Sequence, residues 1–73
     1  MNSNYRYFTL IFTFLLGTYK GYIALWKQGE PQPIQVFPYS VHSLPTTDQA
    51  RLHQGIPIGS WEQLQMILQD YLS

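Results

Sequence analysis

The sequence contains no cysteine, which removes disulfides, thiolate nucleophiles and cysteine-bound zinc together and leaves the redox compartment unmarked. Charge is also scarce. Lys and Arg number four, Asp and Glu number four, and the formal net charge is zero. Arg6, Lys20, Lys27 and Arg51 are too few and too scattered to form the basic stripe that neutralises phosphates, so no nucleic-acid partner is expected. A nearly neutral surface gives little field to steer an ionic substrate and favours self-association or docking on another protein. No glycine-rich phosphate loop occurs, because Gly17, Gly21, Gly29, Gly55 and Gly59 read as isolated turn glycines.

Catalytic constellations are missing as well. His42 and His53 lack the i,i+4 or H-x-E spacing of a zinc site, so no metal is expected, and both read as loop and helix histidines in solvent. Ser43 beside His42 has no nucleophile-elbow context, and sequence neighbours rarely share triad geometry. Asp48, Glu62 and Asp70 read as helix-terminus and surface residues rather than a carboxylate pair in a cleft. The chain is read as non-enzymatic, with no cofactor and no catalytic residues.

Apolar and aromatic residues are abundant. Hydrophobic residues make up 45% of the 73 positions and aromatic ones 16%. That is enough for one packed domain over residues 1–73 and too short for a second. Chains of this size bury a limited share of their surface, so the core must be efficient or completed by a partner.

The run Phe8–Leu16 (FTLIFTFLL) admits two readings. Arg6 precedes it as in a secretory signal, yet no small-residue cleavage site follows. The uncharged stretch between Arg6 and Lys20 is shorter than the roughly 20 residues of a spanning helix. Its Phe, Ile and Thr content suits a strand. A strand from about Tyr7 to Thr18 is therefore expected after a flexible residue 1–7 segment. It would set Phe8, Leu10, Phe12 and Phe14 on one face, with Ile11 and Leu15 on the other. Two apolar faces imply burial on both sides or a membrane context. The alternative is a membrane anchor over residues 1–18 carrying an extracytoplasmic head; membrane association through Phe8–Leu16 stays open on either reading.

Beyond the run, Tyr19-Lys20-Gly21 predicts a tight hairpin, since Gly21 tolerates positive φ. A second strand, Tyr22–Lys27, would place Tyr22, Ala24 and Trp26 on one face and Ile23 and Leu25 on the other. Residues 28–33 read as a polar loop. A third strand, Ile34–Val41, carries Pro38, which confines it to a sheet edge or a bulge. Pro45, Asp48 and Gly55 bracket a helix over Thr46–Gln54, docking through Leu44, Ala50 and Leu52. Ile56-Pro57-Ile58 reads as an extended apolar link. Ser60 and Gln63 fit a capping box, followed by Leu64, Ile67, Leu68 and Tyr71 at helical spacing. The expected fold is α+β: a three-stranded antiparallel meander followed by two short helices packed on one face.

Tyr19, Tyr22, Trp26, Phe37 and Tyr39 are read first as core. Of these, Tyr22, Trp26, Phe37 and Tyr39 are the candidate interaction surface, because aromatics anchor interfaces. The partner would be another protein or a second copy of the chain, and the free edge strand offers a second docking mode.

With those residues in view, the chain from about Phe14 to Ser73 resembles the C-terminal domain of the bypass-of-forespore protein BofC and related small uncharacterised Firmicute proteins. The resemblance rests on YKGYIALW at Tyr19–Trp26, SLPTTDQARLHQGIPI at Ser43–Ile58 and LQMILQDYLS at Leu64–Ser73. It implies a compact sheet-plus-helix module without catalytic residues. Through that family's secreted regulator of a signalling protease, it implies a regulatory role. The separate N-terminal domain of that regulator has no counterpart in this sequence.

Overall fold

The computed structural model describes residues 14–72, so the expected strand positions Tyr7–Thr13 and most of the Phe8–Leu16 run lie outside the described residues. Strand β1 spans Phe14–Tyr19 and β2 spans Tyr22–Lys27. Lys20 and Gly21 join them with φ of 51° and 88°, the pair of positive values that a two-residue type I′ hairpin needs. This tight turn fixes the register, from Tyr19 opposite Tyr22 to Phe14 opposite Lys27.

Strand β3, Gln35–Ser40, pairs antiparallel with β2. Between the Ala24–Val36 and Tyr22–Ser40 pairs, β2 advances two residues and β3 four, so β3 bulges around Pro38. Pro38 has no amide hydrogen for a ladder, and the bulged outer strand is where it costs least. Val41 leaves the sheet into a short 3-10 turn, Val41–Ser43, where the Ser40 hydroxyl accepts from the His42 amide at 3.2 Å.

The expected three-stranded meander is corrected to a four-stranded sheet. Ile56–Ile58 forms β4, antiparallel to β1, and the strand order is β3-β2-β1-β4. Without β4, the outer edge of β1 would leave buried backbone groups unpaired. Ile56 and Ile58 are buried while Pro57 is exposed, the period-2 pattern of a strand. Pro57 is tolerated because β4 is outermost.

Helix α1, Thr46–Gln54, ends at Gly55, whose amide donates to the Arg51 and Leu52 carbonyls and whose φ of 91° turns the chain out of the helix. Its docking residues are Leu52, fully buried, and the half-buried Leu44 that precedes it; Ala50 is exposed, contrary to expectation. Helix α2, Trp61–Leu72, begins with half of the expected capping box. The Gln63 amide donates to Ser60 Oγ at 3.1 Å. In return, the Gln63 side chain takes the amide of Gly59 (2.9 Å), one residue before Ser60, and donates to the Pro57 carbonyl (3.2 Å). Gln63 thereby ties the helix start to β4.

Leu16, Ile23, Leu25, Phe37, Ile56 and Ile58 from the sheet form one buried cluster with Val41, Leu52 and Leu64. Ile67, Leu68 and Tyr71 of α2 pack against it. Burial pushes the Tyr71 phenol pKa up; nearby Arg51 opposes that shift, and Asp48 and Asp70 add to it.

Candidate docking surface

Strand alternation turns Leu15, Gly17 and Tyr19 of β1 away from the core cluster, together with their partners Trp26, Ala24 and Tyr22. Val36, opposite Ala24, and Pro57, opposite Leu15, extend the same face onto both outer strands. Leu15 is 40% exposed, Val36 45% and Tyr22 46%. A sheet face this apolar is ordinarily covered by another layer.

Trp26 organises the face. A Cβ placed on Gly17 would lie 3.2 Å from the indole ring, tighter than ordinary contact, so the ring packs closely over the glycine. Gly17 is thus a mid-strand packing residue and not a turn glycine. From there the indole meets the Tyr19 ring edge-on, with centroids 6.2 Å apart and planes at 70°, a favourable aromatic geometry. Lys20 Nζ stands 5.2 Å over the Tyr19 ring, and the Tyr19 hydroxyl donates to Gln32 Oε1 at 3.4 Å, reaching the β2–β3 loop. Ala24, opposite Gly17, is fully buried.

Beside Trp26 the face deepens into an open groove of about 470 Å³. Leu15, Gly17 and Trp26 line it, with Lys27 and Glu30 on the loop side and His53 on the α1 side. The last turn of α1 forms that second wall, because the Leu52 carbonyl lies 3.4 Å from the Gly17 Cβ position and Gly55 approaches the Leu15 side chain.

The four residues marked as a candidate surface divide between the two sides. Tyr22 and Trp26 share the open face. Phe37 is 8% exposed and belongs to the core cluster, and Tyr39 is half-buried against it. Phe37 and Tyr39 alternate onto the core side of β3 and pack in or against the buried cluster. Leu15, Gly17 and Val36 were not marked; only the register with β2 reveals that they join Tyr22 and Trp26.

The Ser43 hydroxyl donates to the Ser40 carbonyl at 2.7 Å, and His42 and His53 are exposed on separate elements. Among the described residues, no group of three or more His, Cys, Asp or Glu is placed to hold a metal, and no helix is long and apolar enough to cross a membrane. No protein-family model, curated protein or solved structure matches this chain.

Proposed function

We propose that this chain is a non-enzymatic docking module of interaction or regulatory type, working by burying the open face of its sheet against another surface. The observation that carries this is the half-exposed apolar set Leu15, Tyr22 and Val36 around a built aromatic pair, Trp26 on Tyr19. Contiguous exposed apolar surface of this kind marks interaction sites in stable proteins. Large aromatics with locked rings contribute interface area at little entropic cost. The bypass-of-forespore resemblance points the same way, to a regulatory sheet-plus-helix module without catalytic residues. In the membrane-anchored alternative, pairing of β1 with β2 and β4 takes Phe14–Tyr19 into the sheet, which leaves residues 1–13 for an anchor.

The test is a double substitution on the face, Tyr22→Lys with Val36→Lys, read two ways. Urea unfolding should stay within about 0.5 kcal/mol of wild type, as for ordinary surface changes. In native extracts the wild-type chain should migrate in a larger assembly, and the variant should return to the 8.6 kDa monomer pool. A wild-type chain that is already monomeric in the extract contradicts the proposal. So does a double variant that unfolds, since the face would then be structural.

A further inference from the structure

We infer that the surface docked on this face is the same face of a second copy of the chain, an assignment that rests on the docking reading above. The two copies pack about a two-fold axis that runs across the strands at their middle. An interface of that symmetry must be self-complementary, because both sides present the same patch. The open face meets that condition in shape and in charge. At the hairpin end Tyr22 projects, half exposed, beside the Lys20–Gly21 turn. At the far end, where Leu15 pairs with Trp26, the groove opens between the β2–β3 loop and the last turn of α1. A two-fold axis across the strands exchanges the two ends, so each Tyr22 is set against the groove beside Trp26 of the other copy. Val36, level with Ala24 near mid-strand, comes to the axis and meets its own counterpart. Buried tyrosine and tryptophan are the side chains that anchor interfaces, and two sheets stacked in this way lie about 10 Å apart with strands nearly aligned.

The charges follow the same reversal. Lys20 stands in the hairpin turn with its Nζ over the Tyr19 ring, on the open side. Glu30 lies just past the other end of β2, where its amide donates to the Lys27 carbonyl, and it lines the groove. Lys27 also borders the groove, but it alternates with Ile23 and Leu25 toward the core side. Strands of six residues at about 3.3 Å per residue put roughly 20 Å between the backbones at the two ends. The exchange of ends that seats Tyr22 therefore brings Lys20 of each copy toward Glu30 of the other, giving two unlike pairs. A face with one charge of each sign selects neither a strongly basic nor a strongly acidic surface, whereas it complements itself. The chain's formal charge of zero adds no long-range repulsion between copies.

The test reverses the two charges and reads sedimentation equilibrium of the purified full-length chain. Wild type should be a dimer at micromolar concentration. Lys20→Glu and Glu30→Lys should each weaken self-association about tenfold, because both pairs in the dimer become like-charged. Mixed in equal amounts, the two variants should associate as wild type does, since each altered position then meets an opposite charge. A misfolded chain would give no such recovery. The absence of cysteine permits a second reading with both charges in place. A short bismaleimide should link two copies of Val36→Cys, at the axis, and should not link copies of Met66→Cys on α2. Failure of the mixture to recover would overturn the second copy, as would no link at position 36. Undiminished dimerisation of Tyr22→Lys/Val36→Lys would place the contact elsewhere and overturn it as well. A purified chain that is monomeric, in an extract where a larger assembly is abolished by Tyr22→Lys/Val36→Lys, would refute the second copy and leave docking by this face intact. A monomer in both settings would refute both.

Discussion

The two faces of the sheet are built from the same strands and from similar residues, yet they have opposite fates. On one face Leu16, Ile23, Leu25, Ile56 and Ile58 are almost wholly withdrawn from water beneath Leu52 and Leu64. On the other, Leu15, Tyr22 and Val36 remain nearly half exposed, and only Ala24 and Gly17 are closed off, Gly17 under the Trp26 ring. Hydrophobicity does not separate these sets; cover does. Leu52 from the nine-residue helix and Leu64 from the twelve-residue helix join that buried cluster, the last turn of the first helix also borders the open side, and most of the second apolar face is left over. A small domain can fold on one buried face alone. Apolar side chains kept on the other are then available for binding.

The contrast can be broken most sharply in the core. Leu52→Ala and Leu64→Ala should each cost about 2–5 kcal/mol in urea unfolding, as fully buried leucines do. A loss below about 0.5 kcal/mol would mean that the helices do not cover this face. Gly17→Val should cost about 1–3 kcal/mol, because the added atoms collide with the indole and the Leu52 carbonyl. Near-ultraviolet circular dichroism should report the displaced tryptophan. Gln63→Ala should lose about 1 kcal/mol by freeing the Gly59 amide at the helix start, measured by thermal melting.

Smaller effects sharpen the comparison further. Tyr71→Phe should be neutral or slightly stabilising near neutral pH, because the buried phenol oxygen has no hydrogen-bond partner among the described residues and its removal relieves a desolvated group. The same variant should change the alkaline limb of stability. Burial raises the folded-state pKa of Tyr71, so the folded form favours the protonated phenol. That contribution is whole below the unfolded value of about 10 and drains as pH rises from there through the folded value. Denaturation curves between neutral and strongly alkaline pH should therefore fall less steeply for Tyr71→Phe than for wild type. Identical slopes would show that the phenol is not buried.

Much of the architecture was legible where local chemistry is strong. Gly21 marked the hairpin, Gly55 ended the first helix at the expected residue, and Ser60 with Gln63 marked the start of the second. Pro38 pointed to an edge or a bulge, and β3 is both. The fourth strand was not legible because three residues centred on Pro57 are too short to display a period and proline argues against a ladder. Its pairing depends on the exposed edge of β1, a tertiary fact. The candidate surface was half legible for a related reason. Alternation along β2 put Tyr22 and Trp26 together, but sorting Phe37, Tyr39 and Val36 required the β3 register, which the bulge resets. The indole resting on Gly17 joins residues nine apart on paired strands, and no local pattern signals it.

The central claim is that the Tyr22 face, and not the helical side, meets another surface. It is tested most directly by placing a photoreactive benzoyl-phenylalanine at position 22 or at position 66, where Met66 on α2 is 66% exposed against 46% for Tyr22. The full chain is illuminated in the cell. The account expects a covalent adduct, lipid or protein by mass, from position 22 and none from position 66. Adducts from position 66 alone, or none from position 22, would contradict it.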